Sequence, residues 1–243
     1  MASMPNSHDN IFVYGPPGCG KTLFAGGSQK RRMFYLNAEN GYKTLKTWPG
    51  DAYGYYPKAR LDLIVSTPII KSMAEFVSAY QYLCANYRSF DLVVLDTATE
   101  LAKTFMSDHL KKRNKILAEI QDWGVILGQL EWIFREIRAL PMTKIVLAHE
   151  NVKLNQATGF NTYGPQFQGA IRFDYAKHFD EIWRMTLVQQ QVRDAAGNPT
   201  LLDHRLVQTS PDQNTEAKTR SNVLHPRELP QLDAMLDRMQ GIA

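Results

Sequence analysis

Cysteine is nearly absent from this chain: Cys19 and Cys84 are the two in 243 residues. Two thiols cannot build a disulfide scaffold, and one of them lies inside a glycine-rich loop, which suits a reducing cytoplasm. Long apolar runs are missing as well. None approaches the ~20 residues of a membrane span. The opening MASMPNSHDN lacks the charged-then-apolar order of a signal peptide. Neither sign of charge dominates. Lys and Arg number 28 against 24 Asp and Glu, a net charge of +4 with a pI near 9.0. That balance leans weakly towards a polyanion partner and decides little by itself. Internal repeats and low-complexity tracts are also absent. What remains is ordinary for one globular domain spanning residues 1–243: 44% hydrophobic and 21% charged residues.

Near the N-terminus stands Gly15-Pro16-Pro17-Gly18-Cys19-Gly20-Lys21-Thr22. It satisfies G-x-x-x-x-G-K-[ST] at every fixed position. The apolar run Ile11–Tyr14 enters it as a strand and helix-compatible residues leave it. Glycines let backbone N–H groups close around phosphate oxygens, and the following helix start adds a favourable dipole. The spacing assigns Lys21 to the β- and γ-phosphates and the Thr22 hydroxyl to Mg²⁺. ATP and Mg²⁺ are the expected ligands.

Strand-like and helix-like stretches alternate. The pattern predicts strands at 11–14, 33–37, 61–66, 92–96, 144–149 and 181–188. It predicts helices at 22–28, 72–87 and 123–140, the last from Ile126, Leu127, Leu130, Ile133, Phe134 and Ile137 at helical spacing. The expected fold is α/β, a mostly parallel sheet with helices on both faces. Its core covers about 10–190. A C-terminal extension over about 191–243 holds an antiparallel hairpin, turning at Ala196-Gly197-Asn198-Pro199, and a terminal helix.

In FDLVVLDTATEL, Leu92–Leu95 deliver Asp96 to a strand tip, but Thr97 follows where many ATPases place the glutamate that activates water. Ligands of open α/β sheets lie outside the carboxyl ends of the strands. Glu39, in YLNAENG, stands just past another such end. Two strands can therefore present Glu39 to the attacking water and Asp96 to Mg²⁺. Glu100 is the second candidate base.

At this point the chain resembles the RecA-like ATPases, whose glutamate sits on the strand after the phosphate loop. AAA+ machines usually carry both acids on one strand. Within the RecA-like proteins the chain is similar to a short phage-encoded group linked to single-strand annealing and recombination. GPPGCGKT, YLNAENG, FDLVVLDTATEL, KIVLAHEN and EAKTR occur in that group's order over residues 11–220. The resemblance implies host cytoplasm, assembly into a ring or filament on single-stranded DNA, and work beside a single-strand-binding protein. It implies that His149, at the tip of its strand, senses the γ-phosphate. It also implies that Lys218 and Arg220, two apart and so on one face of a strand, reach a neighbour's ATP as a trans finger.

The same resemblance points to two DNA-binding loops. One follows Asp96 and carries Lys103, Lys111, Lys112, Arg113 and Lys115. The other, residues 151–172, carries Lys153, Phe160, Tyr163, Phe167 and Arg172 in a polar, glycine-bearing stretch. Cations track phosphates while aromatic rings offer stacking surfaces. Three other readings are weighed. A helicase-type ring motor calls for a further N-terminal domain, which is not expected with the loop starting at Gly15. A small-molecule kinase calls for an arginine-rich lid, and no segment reads as one. A nucleotide-gated binding module would barely turn over.

Overall fold

The computed structural model describes residues 8–50, 56–66, 69–169, 171–193 and 198–242. Its strands are β1 (Asn10–Gly15), β2 (Met33–Asn37), β3 (Ile64–Ser66), β4 (Leu92–Asp96), β5 (Thr143–Leu154), β6 (Asn161–Pro165), β7 (Glu181–Arg193), β8 (Pro199–Gln208) and β9 (Arg227–Glu228). Its helices are α1 (Lys21–Ala25), α2 (Tyr42–Thr47), α3 (Met73–Ala85), α4 (Ala98–Lys112), α5 (Ile120–Ala139), α6 (Ile171–Asp174) and α7 (Leu232–Met239).

The sheet order is β3-β2-β4-β5-β1-β7-β8-β9, with β6 pairing to β5 outside that path. Strands β3, β2, β4, β5, β1 and β7 are parallel, whereas β8 and β9 run antiparallel. Every residue of β1, β2 and β4 is buried. That is the condition under which a parallel strand reads as one continuous apolar run, because both its faces are covered. Phe12, Phe34, Val93 and Val146 point to the face covered by α3, α4 and α5. Ile11, Met33, Val94 and Ile145 point to the face covered by α1, α2 and α7.

The structure departs from the sequence-based expectations in four places, besides the short helices α2 and α6, which no pattern marks. Residues 61–63 form a single 3-10 turn, leaving only Ile64–Ser66 as strand. Helix α1 stops at Ala25, because Gly26 and Gly27 follow; a methyl on Gly26 would sit 2.6 Å from Leu45. Residues 103–112, expected as part of a loop, belong to α4, which is capped by the Thr97 side chain accepting from Glu100 N. Residues 151–165, also expected as loop, are largely an antiparallel ribbon, since β5 continues past His149 and pairs with β6. The β7–β8 hairpin forms as expected, while Ala196 and Gly197 of its turn lie outside the described residues. No described helix is long and apolar enough to cross a membrane.

Candidate functional site

Strand β1 ends at Gly15, which is pressed against β7: a Cβ there would lie 2.4 Å from the Met185 carbonyl oxygen. The loop then turns through Gly18 (φ +76°) and Gly20 (φ +97°), both in the left-handed region that favours glycine. Pro16, Pro17 and Gly18 form its outer rim. Cys19 is buried beneath it, and burial pushes its thiol up. Lys21 folds back across the loop, donating to the Gly15 carbonyl at 2.8 Å and the Pro16 carbonyl at 2.9 Å.

Thr22 and Asp96 meet as the motif requires. Thr22 Oγ1 donates to Asp96 Oδ2 at 2.8 Å, and the Tyr35 hydroxyl donates to the same oxygen. Asp96 is 1% exposed, and burial raises its carboxyl above the usual carboxylate range. Gly41 closes the cradle: a methyl there would be 2.3 Å from Asp96 Oδ2 and 3.1 Å from Thr22 Oγ1. The hydroxyl–carboxylate pair fits Mg²⁺ held by few protein ligands plus substrate phosphates.

Glu39 lies one strand away, just past the tip of β2. Pairing of β2 with β4 sets Asn37 beside Asp96, and Ala38 and Glu39 both donate their backbone N–H to the Asp96 carbonyl, at 2.7 and 3.1 Å. Thr97 takes the position where many ATPases carry an acid. Its hydroxyl caps α4 and donates to Glu39 Oε2 at 3.1 Å. On the other side His149 Nε2 is 3.3 Å from Glu39 Oε2 and 3.5 Å from Glu100 Oε1. The contact with His149 holds the Glu39 carboxyl below its ordinary value. Both candidate bases therefore face one imidazole, and Lys103 pairs with Glu100 at 2.5 Å.

His149 does not end its strand. It stands where β5 leaves its parallel pairing with β1 (Gly15 beside His149) and begins antiparallel pairing with β6 (Glu150 beside Pro165). Its backbone N–H is anchored on Thr99 Oγ1 at 3.0 Å. The imidazole thus sits at the joint between the sheet and the β5–β6 ribbon.

Lys218 and Arg220 lie at the opposite end of the sheet. Lys218 bridges to Ile182 near the start of β7, and its Nζ donates to the Ala176 and Phe179 carbonyls at 2.9 and 2.6 Å. Arg220 pairs with Asp180 at 2.7 Å. Thr219 between them turns the other way, to Glu181, so the two cations share a side. The β1 length separates them from their own phosphate loop by roughly 15 Å.

The expected DNA contacts divide. Arg113 and Lys115 are drawn onto Asp122, whose side chain is fully buried, at 2.7 and 3.4 Å. His109 and the Glu119 N–H complete its shell, forming the N-terminal cap of α5. Lys112 pairs with Asp108, one turn back on α4, and is exposed, as is Lys111. The turn between α4 and α5 presents apolar side chains outward: Ile116, Leu117 and Ile120 are 94%, 80% and 89% exposed. On the ribbon, Val152, Leu154 and Phe160 are exposed near Lys153. Tyr163 is occupied, its ring 3.6 Å beneath the Arg184 guanidinium, which itself pairs with Glu150. Phe167 is core rather than surface. Lys153, Tyr163 and Arg172, the last in α6, line one cleft that also holds Asp212 and Glu216.

The contributions of Tyr35, Gly41 and Thr97 to the site emerge only in the fold. Thr97-x-x-Glu100 has capping-box spacing and marks the start of α4; no motif marks Tyr35 or Gly41.

Three solved structures are similar to this chain at low identity. A KaiC-like protein from Pyrococcus horikoshii OT3 is 11% identical, with a TM-score of 0.48 over 87% of this chain and 83% of its own. The flagellar accessory protein FlaH from Methanocaldococcus jannaschii is 11% identical, with a TM-score of 0.39 over 87% and 91%. An ATPase of the type III secretion system of pathogenic bacteria is 13% identical, with a TM-score of 0.42 over 73% and 52%. No curated protein matches the sequence. A family model described as AAA domain matches residues 8–221. With the phosphate loop and Asp96 in place, the chain belongs to that AAA domain family and is a P-loop NTPase domain.

Proposed function

We propose that this P-loop protein hydrolyses ATP with Glu39 as the general base, assembles head to tail on single-stranded DNA, and promotes annealing or recombination. One observation carries the reading. Glu39 lies on the strand next to Asp96, is held from one side by Thr97 Oγ1, and faces His149 on the other. A carboxylate kept ionised at the edge of a phosphate site can accept the proton of an attacking water. Its low pKa favours the charged form throughout the neutral range.

When bound, Mg²⁺ would be held by Thr22 and, through its water shell, by Asp96, neutralising charge on the phosphates. Lys21 exchanges its two carbonyl partners for phosphate oxygens. Glu39 orients and deprotonates water. His149 reports the state of that site to the β5–β6 ribbon, whose backbone it begins. Lys218 and Arg220, remote from their own loop, suit a neighbour's site, which makes the assembly heterologous and able to close into a ring or grow into a filament.

The DNA reading draws support from the two protrusions. Lys111, Lys112 and Lys153 offer phosphate contacts. Ile116, Leu117, Ile120 and Phe160 offer apolar surface to unstacked bases. Arg113 and Lys115 act indirectly, by fixing the turn through Asp122. The test is ATPase activity with and without single-stranded DNA, joined to binding titrations over a range of salt. Stimulation by DNA is expected. Removing the Lys111 and Lys112 charges together should lower the logarithmic salt slope by about 1.4, at ~0.7 per lost contact. An unchanged slope rules these lysines out, and turnover that needs a small phosphate acceptor would favour a kinase.

A further inference from the structure

Beside the phosphate loop, on the flank away from Glu39 and His149, stands an arginine that no described acid neutralises. Arg205 lies on β8 opposite Leu187 of β7. It is two residues from Val207, so both point to the face on which α1 packs. There it reaches the loop itself. A methyl built on Gly20 would come within 3.3 Å of Arg205 Cδ and 2.9 Å of the Tyr56 hydroxyl. The guanidinium lies over the Tyr56 ring, 5.4 Å from its centroid. Its Nε is buried and has no hydrogen-bond partner.

Two other arginines with little exposure are treated differently. Arg31 is shared between Asp233 and Asp237, and Arg184 is held by Glu150. A buried guanidinium donor without an acceptor is unfavourable. A ring stack compensates only in part, because it leaves the N–H donor unmet. An anion seated in the adjacent phosphate loop would satisfy it.

Sheet order says which anion. β5, β4 and β2 lie on one side of β1, and β7 and β8 on the other. Asp96, Glu39 and His149 all come from the first side. A triphosphate seated in the loop with its terminal phosphate towards these residues must run its α-phosphate towards the second side, where Arg205 waits. We propose that Arg205, bedded on Tyr56, binds the α-phosphate of the nucleotide in cis. Its planar fork of donors matches phosphate oxygens in pairs. This rests on the reading of the chain as an ATP-binding protein.

The test compares dissociation constants for ATP and ADP in the wild type, Arg205→Ala and Arg205→Lys, with thermal melting to verify folding. Loss of a charge-assisted hydrogen bond predicts that Arg205→Ala weakens both nucleotides by the same factor, about ten- to hundredfold. Arg205→Lys should recover part of that loss. Weakening of ATP alone would place Arg205 at the γ-phosphate and overturn the assignment. Unchanged affinities in a folded variant would overturn it as well. If Arg205→Ala does not fold, the same two comparisons on Arg205→Lys decide, with an equal and smaller loss expected. A wild type that binds neither nucleotide would instead overturn the underlying reading.

Discussion

Gly41→Ala tests how tightly the metal cradle is built. Gly41 has ordinary helical dihedrals (φ −59°, ψ −26°), so alanine suffers no backbone strain there. On propensity alone the substitution gains nothing, since Gly41 is the N-cap of α2, where glycine is preferred to alanine. Sterics add a cost. The new methyl would lie 2.3 Å from Asp96 Oδ2 and 3.1 Å from Thr22 Oγ1, so the first contact overlaps by roughly 1 Å against a normal separation of about 3.5 Å. Asp96 cannot yield freely, being 1% exposed and hydrogen-bonded by Tyr35 and Thr22. Overpacking of this kind costs about 1–3 kcal/mol. At about 2–4 °C per kcal/mol for a chain of this size, Tm should fall by roughly 2–12 °C. Mg²⁺-dependent ATP turnover should fall with it, because Asp96 or Thr22 must move. A Tm that holds or rises, with turnover intact, would refute the reasoning.

Three further outcomes are expected. Asp122→Asn should lower stability, since it weakens charge-assisted bonds from Arg113 and Lys115. The Glu119 N–H and its neighbouring cations hold the Asp122 carboxyl far down, so the wild-type stabilisation is present above about pH 4 and fades below it, and denaturant melts against pH would show the variant lacking that fade. Burial pulls the Lys144 ammonium down to about 8; the unfolded chain then holds the extra proton between about pH 8 and 10, stability rises over that window, and Lys144→Met should remove a rise of about 3 kcal/mol. Mixing Glu39→Gln with Arg220→Ala, each inactive alone, should restore part of the ATPase activity at interfaces that pair an intact Glu39 with an intact Arg220; no recovery in verified mixed assemblies would remove Arg220 from the trans role.

The parts of the fold legible in the sequence were those fixed by local pattern. β2 and β4 coincide with their apolar runs because both faces of each are buried. The phosphate loop is legible because its glycines answer a backbone need. The β5–β6 ribbon is not legible as strand, although Val152 and Leu154 alternate with Lys153 and a glycine turn follows. Its outer face is solvent, so its apolar residues resemble loop residues. Helix α4 is hard to discern in the sequence because its exposed side is charged and its start is marked only by the Thr97 cap. The candidate site was half legible. Glu39 and Asp96 follow from strand ends and His149 from the end of its apolar run, but their mutual contacts depend on β2 and β5 flanking β4, which no local pattern encodes. The partner of Arg220 depends in the same way on tertiary placement: its acid is Asp180, forty residues away.

The central claim is that Glu39 serves as the base. Glu39→Gln keeps the shape, keeps an acceptor for the Thr97 hydroxyl and removes the charge. Single-turnover hydrolysis measured beside equilibrium ATP binding should show affinity within a fewfold of wild type and hydrolysis slower by about 10²–10⁴. Near-normal hydrolysis at normal affinity would contradict the account and move the role to Glu100, across the same imidazole.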